Sequence, residues 1–268
     1  MPGRIGAALA RAHENGRGAL IPFLTSGFPD LTESDRLASA LCDEGADVLE
    51  LGVPFSDPLA DGPVIQRTTQ IALERGTTLA HVLGQALRLR SRVTTPLVLM
   101  TYLNPILRYG VARFPEDARD AGVDGVILVD LPPEEDPDVW ETMRAGGLDT
   151  IALVAPTTPE TRLNGIAARA SGFLYVVARL GVTGRGEGDP RLDRILKACR
   201  ERSPLPRCVG FGIGRGTDLA RFRGLAEGVI VGSGLLEEIL AGADPEDREL
   251  RARSFLRDLR EKLPALAG

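Results

Sequence analysis

Glu50 stands between Leu49 and Leu51 in an apolar run, and Asp61 follows in the stretch Gly52-Val53-Pro54-Phe55-Ser56-Asp57-Pro58-Leu59-Ala60-Asp61-Gly62-Pro63. A carboxylate set among leucines loses hydration, so its pKa rises and it can hold and deliver a proton near neutral pH. Two carboxylates in unlike surroundings suit divided acid and base roles. Glu50 can equally be a structural carboxylate satisfied by backbone donors or a neighbouring arginine. Loop aspartates commonly build turns, and Asp57, Asp61 and Asp130 all carry that alternative. Residue type alone does not rank these acids.

A second chemistry is anion binding. Glycine is abundant, at 31 of 268 residues, against a usual share of about 7%. Three stretches concentrate it: Gly181-Val182-Thr183-Gly184, Gly210 to Gly216, and Gly232-Ser233-Gly234. Backbone N–H groups freed of Cβ atoms and placed at a helix start make a phosphate cradle, to which Ser233 adds a hydroxyl. The alternative is ordinary turns between regular elements. Tyr102 and Tyr175 could each line a pocket for a flat aromatic ligand or simply pack. Arg179 is either a loop anchor or a helper for the phosphate.

These groups must be held by regular elements, and the hydrophobic pattern supplies them. Short apolar runs predict strands at Ala19–Leu24, Asp47–Leu51, Pro96–Thr101, Gly125–Val129, Thr150–Val154, Phe173–Ala178, Arg207–Phe211 and Gly228–Val231. Runs such as Leu97-Val98-Leu99-Met100 do not alternate, as expected of parallel strands covered on both faces. Amphipathic segments predict helices at Leu31–Asp43, Thr78–Leu89, Phe114–Ala121, Asp136–Ala145, Pro159–Ala170, Pro190–Arg200, Gly216–Leu225 and Gly234–Leu240. A helix near Ile5–Glu14 plugs the bottom, and one over Asp244–Lys262 closes the chain. Strand–helix alternation of this length predicts an α/β fold, a (β/α)8 TIM barrel, as one domain over residues 1–268. Working groups then belong at the C-terminal ends of strands, with phosphate loops after strands seven and eight. A doubly wound sheet would show GxGxxG after its first strand, where Thr25-Ser26-Gly27-Phe28-Pro29 stands instead.

Composition excludes other classes. Aromatics at 4% do not build a stacking platform for nucleic acid, and a net charge of −5 with a pI near 5.3 disfavours anionic partners such as DNA or membrane surfaces. Cys42, Cys199 and Cys208 are too scattered for a disulfide framework, and with only His13 and His81 beside them a zinc site is not expected. Ser233 lacks the GxSxG setting of a nucleophile. The N-terminus has no signal-peptide pattern, and no apolar stretch is long enough to span a membrane, so a cytoplasmic location is expected.

The run from Leu49 through Asp61 to Gln66 resembles the signature of the tryptophan synthase α-chain family. Further matches are Ile21-Pro22-Phe23 to Pro29-Asp30, Met100 to Gly110, Val129-Asp130-Leu131-Pro132-Pro133-Glu134-Glu135, Ala155-Pro156-Thr157-Thr158-Pro159, Gly181-Val182-Thr183-Gly184, Gly210-Phe211-Gly212-Ile213 and Val231-Gly232-Ser233. They cover about residues 5 to 262 in the family's order. The resemblance implies retro-aldol cleavage of indole-3-glycerol phosphate to indole and glyceraldehyde 3-phosphate. It implies that Glu50 is the acid and base, that Asp61 stabilises charge on the indole N–H, and that Tyr175 orients the substrate. It places Thr183, Gly184, Gly212, Ile213, Gly232 and Ser233 at substrate and phosphate positions. A β chain is the implied partner, in an α2β2 assembly that meets the Gly52–Pro63 loop and the segment around Asn104. Pyridoxal phosphate would belong to that partner, and no cofactor is expected here. Asp57-Pro58 favours a partner over a free-standing lyase, and intact Glu50 and Asp61 disfavour a weakly catalytic activating subunit. Two departures, Ala178 where the family usually has Ser and Phe28 where it often has Asp, bear on loop closure and partner contact.

Overall fold

Strands covered on both faces are apolar at nearly every position, and here they close on themselves. The computed structural model describes residues 3–178, 190–210, 219–264 and 266. In chain order the elements are α1 (Arg4–Glu14), β1 (Ala19–Thr25), α2 (Leu31–Asp43), β2 (Leu49–Gly52), α3 (Pro63–Glu74), α4 (Leu79–Arg90), β3 (Leu97–Thr101) and α5 (Leu103–Tyr109). They continue with α6 (Phe114–Asp120), β4 (Gly125–Leu128), α7 (Pro137–Ala145), β5 (Asp149–Val154), α8 (Glu160–Arg169), β6 (Leu174–Val177), α9 (Pro190–Arg202), β7 (Arg207–Gly210), β8 (Gly228–Val231), α10 (Ser233–Leu240) and α11 (Pro245–Lys262). The strands form a closed parallel barrel in sequence order, β8 pairing with β1 through Ala19↔Gly228 and Pro22↔Val231. This is the expected (β/α)8 barrel, and all eight strands fall within two residues of the sequence expectation.

α1 closes the N-terminal end. Its buried face is Ile5, Ala8, Leu9 and Ala12, at helical spacing. A Cβ on Gly125, the first residue of β4, would lie 2.8 Å from the Ile5 side chain, so the missing side chain lets the plug enter the barrel. At the other end of the chain α11 buries Ala252, Phe255, Leu256 and Leu259, and Asp244 caps it by accepting the Asp247 N–H at 2.8 Å. Arg248 pairs with Glu33 of α2 at 2.5 Å and Arg257 with Glu44 at 2.9 Å. These rim pairs orient the helix, while the apolar face supplies most of the stabilisation.

Three elements differ from the sequence expectation. α3 was not expected because Val64, Ile65, Thr68, Thr69 and Ile71 are poor helix formers. Its buried face, Ile65, Thr68, Thr69 and Ala72, is half threonine; Thr68 bonds Thr25 of β1 at 2.7 Å, which satisfies two buried hydroxyls. α5 was not expected because it is short and carries Asn104 and Pro105. The expected helix over 216–225 is instead a 3-10 turn at Leu219–Phe222, its first residues lying outside the described ones. Leu219 and Phe222 are its buried side chains, a spacing that suits three residues per turn, and Gly224 follows at φ 73°.

Phe28 is 2% exposed and belongs to the core cluster. Of the two expectations for position 28, the active-site mouth or a partner surface, this burial favours an inward-facing ring over an exposed one. Ala178 is half-buried, and its N–H bonds Gly210 C=O at 2.7 Å, which extends the β6–β7 ladder by one residue. Among the described residues no helix is long and apolar enough to cross a membrane.

Candidate active site

β2 holds Glu50 in the barrel wall, in register with Phe23 of β1 and Val98 of β3. The side chain is 0% exposed, and neither carboxyl oxygen has a hydrogen-bond partner among the described residues. The structural alternative required backbone donors or an arginine, and neither is there among the described residues. Burial alone pushes the carboxyl from 4.5 up to about 8. At neutral pH Glu50 is a carboxylic acid holding a proton.

Tyr175 of β6 is buried, and its phenol is driven above its ordinary value by burial first, then by the charge of Glu50, with Cys208 and Asp61 contributing less. Those influences place Tyr175, Glu50 and Asp61 around one space. The Tyr175 ring lies where a Cβ of Gly210 would stand, and the Phe23 ring lies where a Cβ of Gly52 would stand. Two strand-ending glycines, one on β7 and one on β2, thus make room for two aromatic faces at the mouth of the barrel. Gly210, which the sequence groups with Gly212 and Ile213, lines this apolar wall. Phe23 and Gly52 are missed by reading residue chemistry; glycine ending an apolar strand is the signal that could have found them.

Asp61 sits in the loop between β2 and α3. Its N–H closes a turn on Pro58 C=O at 3.1 Å, so the turn reading holds for its backbone. Its side chain does something else. Burial raises it to about 6, against a hydrogen bond from Tyr102 that favours the charged form. The Tyr102 hydroxyl also accepts the Ala60 N–H at 3.0 Å, and its ring meets Phe55 with centroids 5.1 Å apart. One phenol therefore fastens the loop over the mouth. Asp57, by contrast, is exposed and takes the Ser56 hydroxyl at 2.6 Å.

Glu50, Asp61, Tyr102 and Tyr175 are thus brought to one end of the barrel. At the same end β8 runs through Gly232 into α10, whose first residue is Ser233, and among the described residues no side chain caps the helix. Such a start presents free N–H groups and the positive end of the helix dipole, which suits an anion. Thr183, Gly184, Gly212 and Ile213, with Arg179, lie outside the described residues. Among the described residues no three His, Cys, Asp or Glu side chains gather as a metal would require. His81 serves α4 instead, taking the Thr78 N–H at 3.2 Å.

Comparison with known proteins agrees with this architecture. The model of the family "Tryptophan synthase alpha chain" matches residues 9–263. The chain is 46% identical to the tryptophan synthase alpha chain of Burkholderia multivorans over 268 residues, 99% of this chain and 98% of that one. It is 46% identical to that of Chloroflexus aurantiacus over 258 residues, 96% of this chain and 97% of that one. Among solved structures, tryptophan synthase subunit alpha from Legionella pneumophila str. Paris superposes with a TM-score of 0.88 at 38% identity, covering 98% of each chain. A chain of tryptophan synthase from M. tuberculosis in its aminoacrylate-bound form gives 0.86 at 33%, covering 97% of this chain and 99% of that one. The chain belongs to the tryptophan synthase alpha chain family.

Proposed function

We propose that the chain, working as one barrel domain in the cytoplasm, cleaves indole-3-glycerol phosphate to indole and glyceraldehyde 3-phosphate. The observation that carries this reading is Glu50, wholly buried, without a hydrogen-bond partner among the described residues and protonated at neutral pH. An indole leaves carbon only after C3 has gained a proton, because the ring then becomes an electron sink. Glu50 gives that proton to C3. Asp61, charged above about pH 6, faces the indole N–H, where positive charge gathers. Glu50, now a carboxylate, takes the proton of the glycerol hydroxyl; the C–C bond breaks, its electrons return to the ring, and an aldehyde forms. Phe23 and Tyr175 offer flat faces to the indole, Tyr102 holds Asp61 in place, and Gly232 and Ser233 take the phosphate together with Thr183, Gly184, Gly212 and Ile213. The steps are proton transfers, so the chemistry asks for no cofactor in this chain.

The chain acts as the α subunit beside a β chain that carries pyridoxal phosphate. Leu59 in the Asp61 loop is 95% exposed and Leu107 of α5 is 53% exposed, and Tyr102 links the two segments by adjoining α5 and bonding Ala60. Large apolar side chains presented from neighbouring elements support a partner surface there. The test is indole formation from indole-3-glycerol phosphate by the purified chain, with and without a tryptophan synthase β chain. Stimulation by the β chain supports the α-subunit reading. An unchanged rate favours a free-standing lyase, and no indole in either case overturns the proposal.

A further inference from the structure

Asp130 remains unassigned by the proposed chemistry. It follows β4, in the loop that runs on toward Leu131 and Pro132. Tyr102 is the N-cap residue of α5, and an aromatic side chain cannot satisfy the first free N–H of a helix. The Asp130 carboxylate does so from the loop after the neighbouring strand, accepting the Leu103 N–H at 2.8 Å. One residue earlier, the Val129 N–H bonds Thr101 C=O at 2.9 Å. The backbone is thus held on both sides of Tyr102 by two consecutive residues of the β4 loop, and only one of those holds is a side chain. Within that clamp the Tyr102 ring rests on Phe55, and its hydroxyl meets Ala60 N–H and Asp61.

We infer that Asp130 is a positioning residue: by capping α5 at Leu103 it sets the direction of Tyr102, and through that hydroxyl the placement of Asp61. The inference rests on the retro-aldol reading for its kinetic consequences but not for its geometry. Asp61 is faced by Tyr102 from the start of α5, and Tyr175 of β6 feels both Asp61 and Glu50 of β2; Asp130 lies beyond Tyr102.

The test compares Asp130→Ala and Asp130→Asn with the wild-type full chain. Alanine removes the acceptor, and kcat/KM for indole release should fall about five- to tenfold, mostly in kcat. The acidic limb of the pH profile should move to higher pH, because Asp61 loses a hydrogen bond to its charged form. Asparagine keeps an oxygen for Leu103 and should restore the rate to within about twofold of wild type. A cap with no role beyond the helix would lower the melting temperature of Asp130→Ala and leave the limb where it was; that result, or an asparagine variant as slow as the alanine one, overturns the inference. Titration of the Asp61 carboxyl by carbon NMR in the same proteins reads the placement without turnover. If the wild type releases no indole yet the Asp61 midpoint rises in Asp130→Ala, the functional reading fails and the positioning role stands.

Discussion

Replacing Glu50 by glutamine should stabilise the protein in alkaline solution, although it removes the group assigned to the chemistry. An unfolded glutamate ionises near 4.5, whereas the folded carboxyl, buried and unpartnered among the described residues, does so at about 8. Between those values the folded protein keeps a proton that the unfolded chain has released, so stability falls as pH rises through the window. Each pKa unit is worth about 1.4 kcal/mol, and the full window carries at most about 5 kcal/mol. About 4 kcal/mol of this lies between roughly pH 5 and pH 8.5. Glutamine does not titrate, and its unpaired amide adds an offset that does not depend on pH. Urea unfolding of both proteins at several pH values isolates the effect, since all other groups cancel in the difference. The stability of Glu50→Gln relative to wild type should climb by about 4 kcal/mol from roughly pH 5 to pH 8.5. A difference that stays flat within about 1 kcal/mol would show that the carboxylate is hydrated or paired, and the reasoning about its proton would fail.

Other consequences can be measured on the same preparations. The pH profile of kcat/KM should be bell-shaped, falling below about 6 as Asp61 takes up a proton and above about 8 as Glu50 loses its own; the acidic limb should vanish in Asp61→Asn. Gly210→Ala puts a methyl group into the Tyr175 ring and should cost about 1–3 kcal/mol in urea unfolding, together with a raised KM. Ser233→Ala removes one donor to the phosphate and should raise KM about tenfold in steady-state assays, with kcat nearly unchanged.

The strands were legible because burial on both faces leaves an apolar run with little ambiguity, as in Val126-Ile127-Leu128. Helix α2 reads from its Asp30 cap, which accepts the Glu33 N–H, to its last turn, all within one short segment. α3 and α5 were hidden for opposite reasons. The buried face of α3 is partly threonine, so hydrophobic period understates it. The first N–H of α5 is satisfied by Asp130 from a different loop, which no local pattern encodes. The site divides in the same way. Glu50 is announced by the leucines on either side, since a carboxylate inside a strand has nowhere to find water. The Tyr102 bond to Ala60 joins residues far apart in the chain, and nothing about a tyrosine after β3 predicts it. The fit of Phe23 and Tyr175 over Gly52 and Gly210 is a property of the closed barrel, visible only once neighbouring strands are in register.

Indole release by Glu50→Gln, measured beside the wild-type chain at neutral pH and together with inorganic phosphate binding by both, addresses the role of Glu50 most directly. If Glu50 carries the proton to C3, turnover falls at least about a hundredfold while phosphate binding stays within about twofold. Turnover within about threefold of wild type would contradict that role and leave the buried carboxyl of β2 without the chemistry assigned to it.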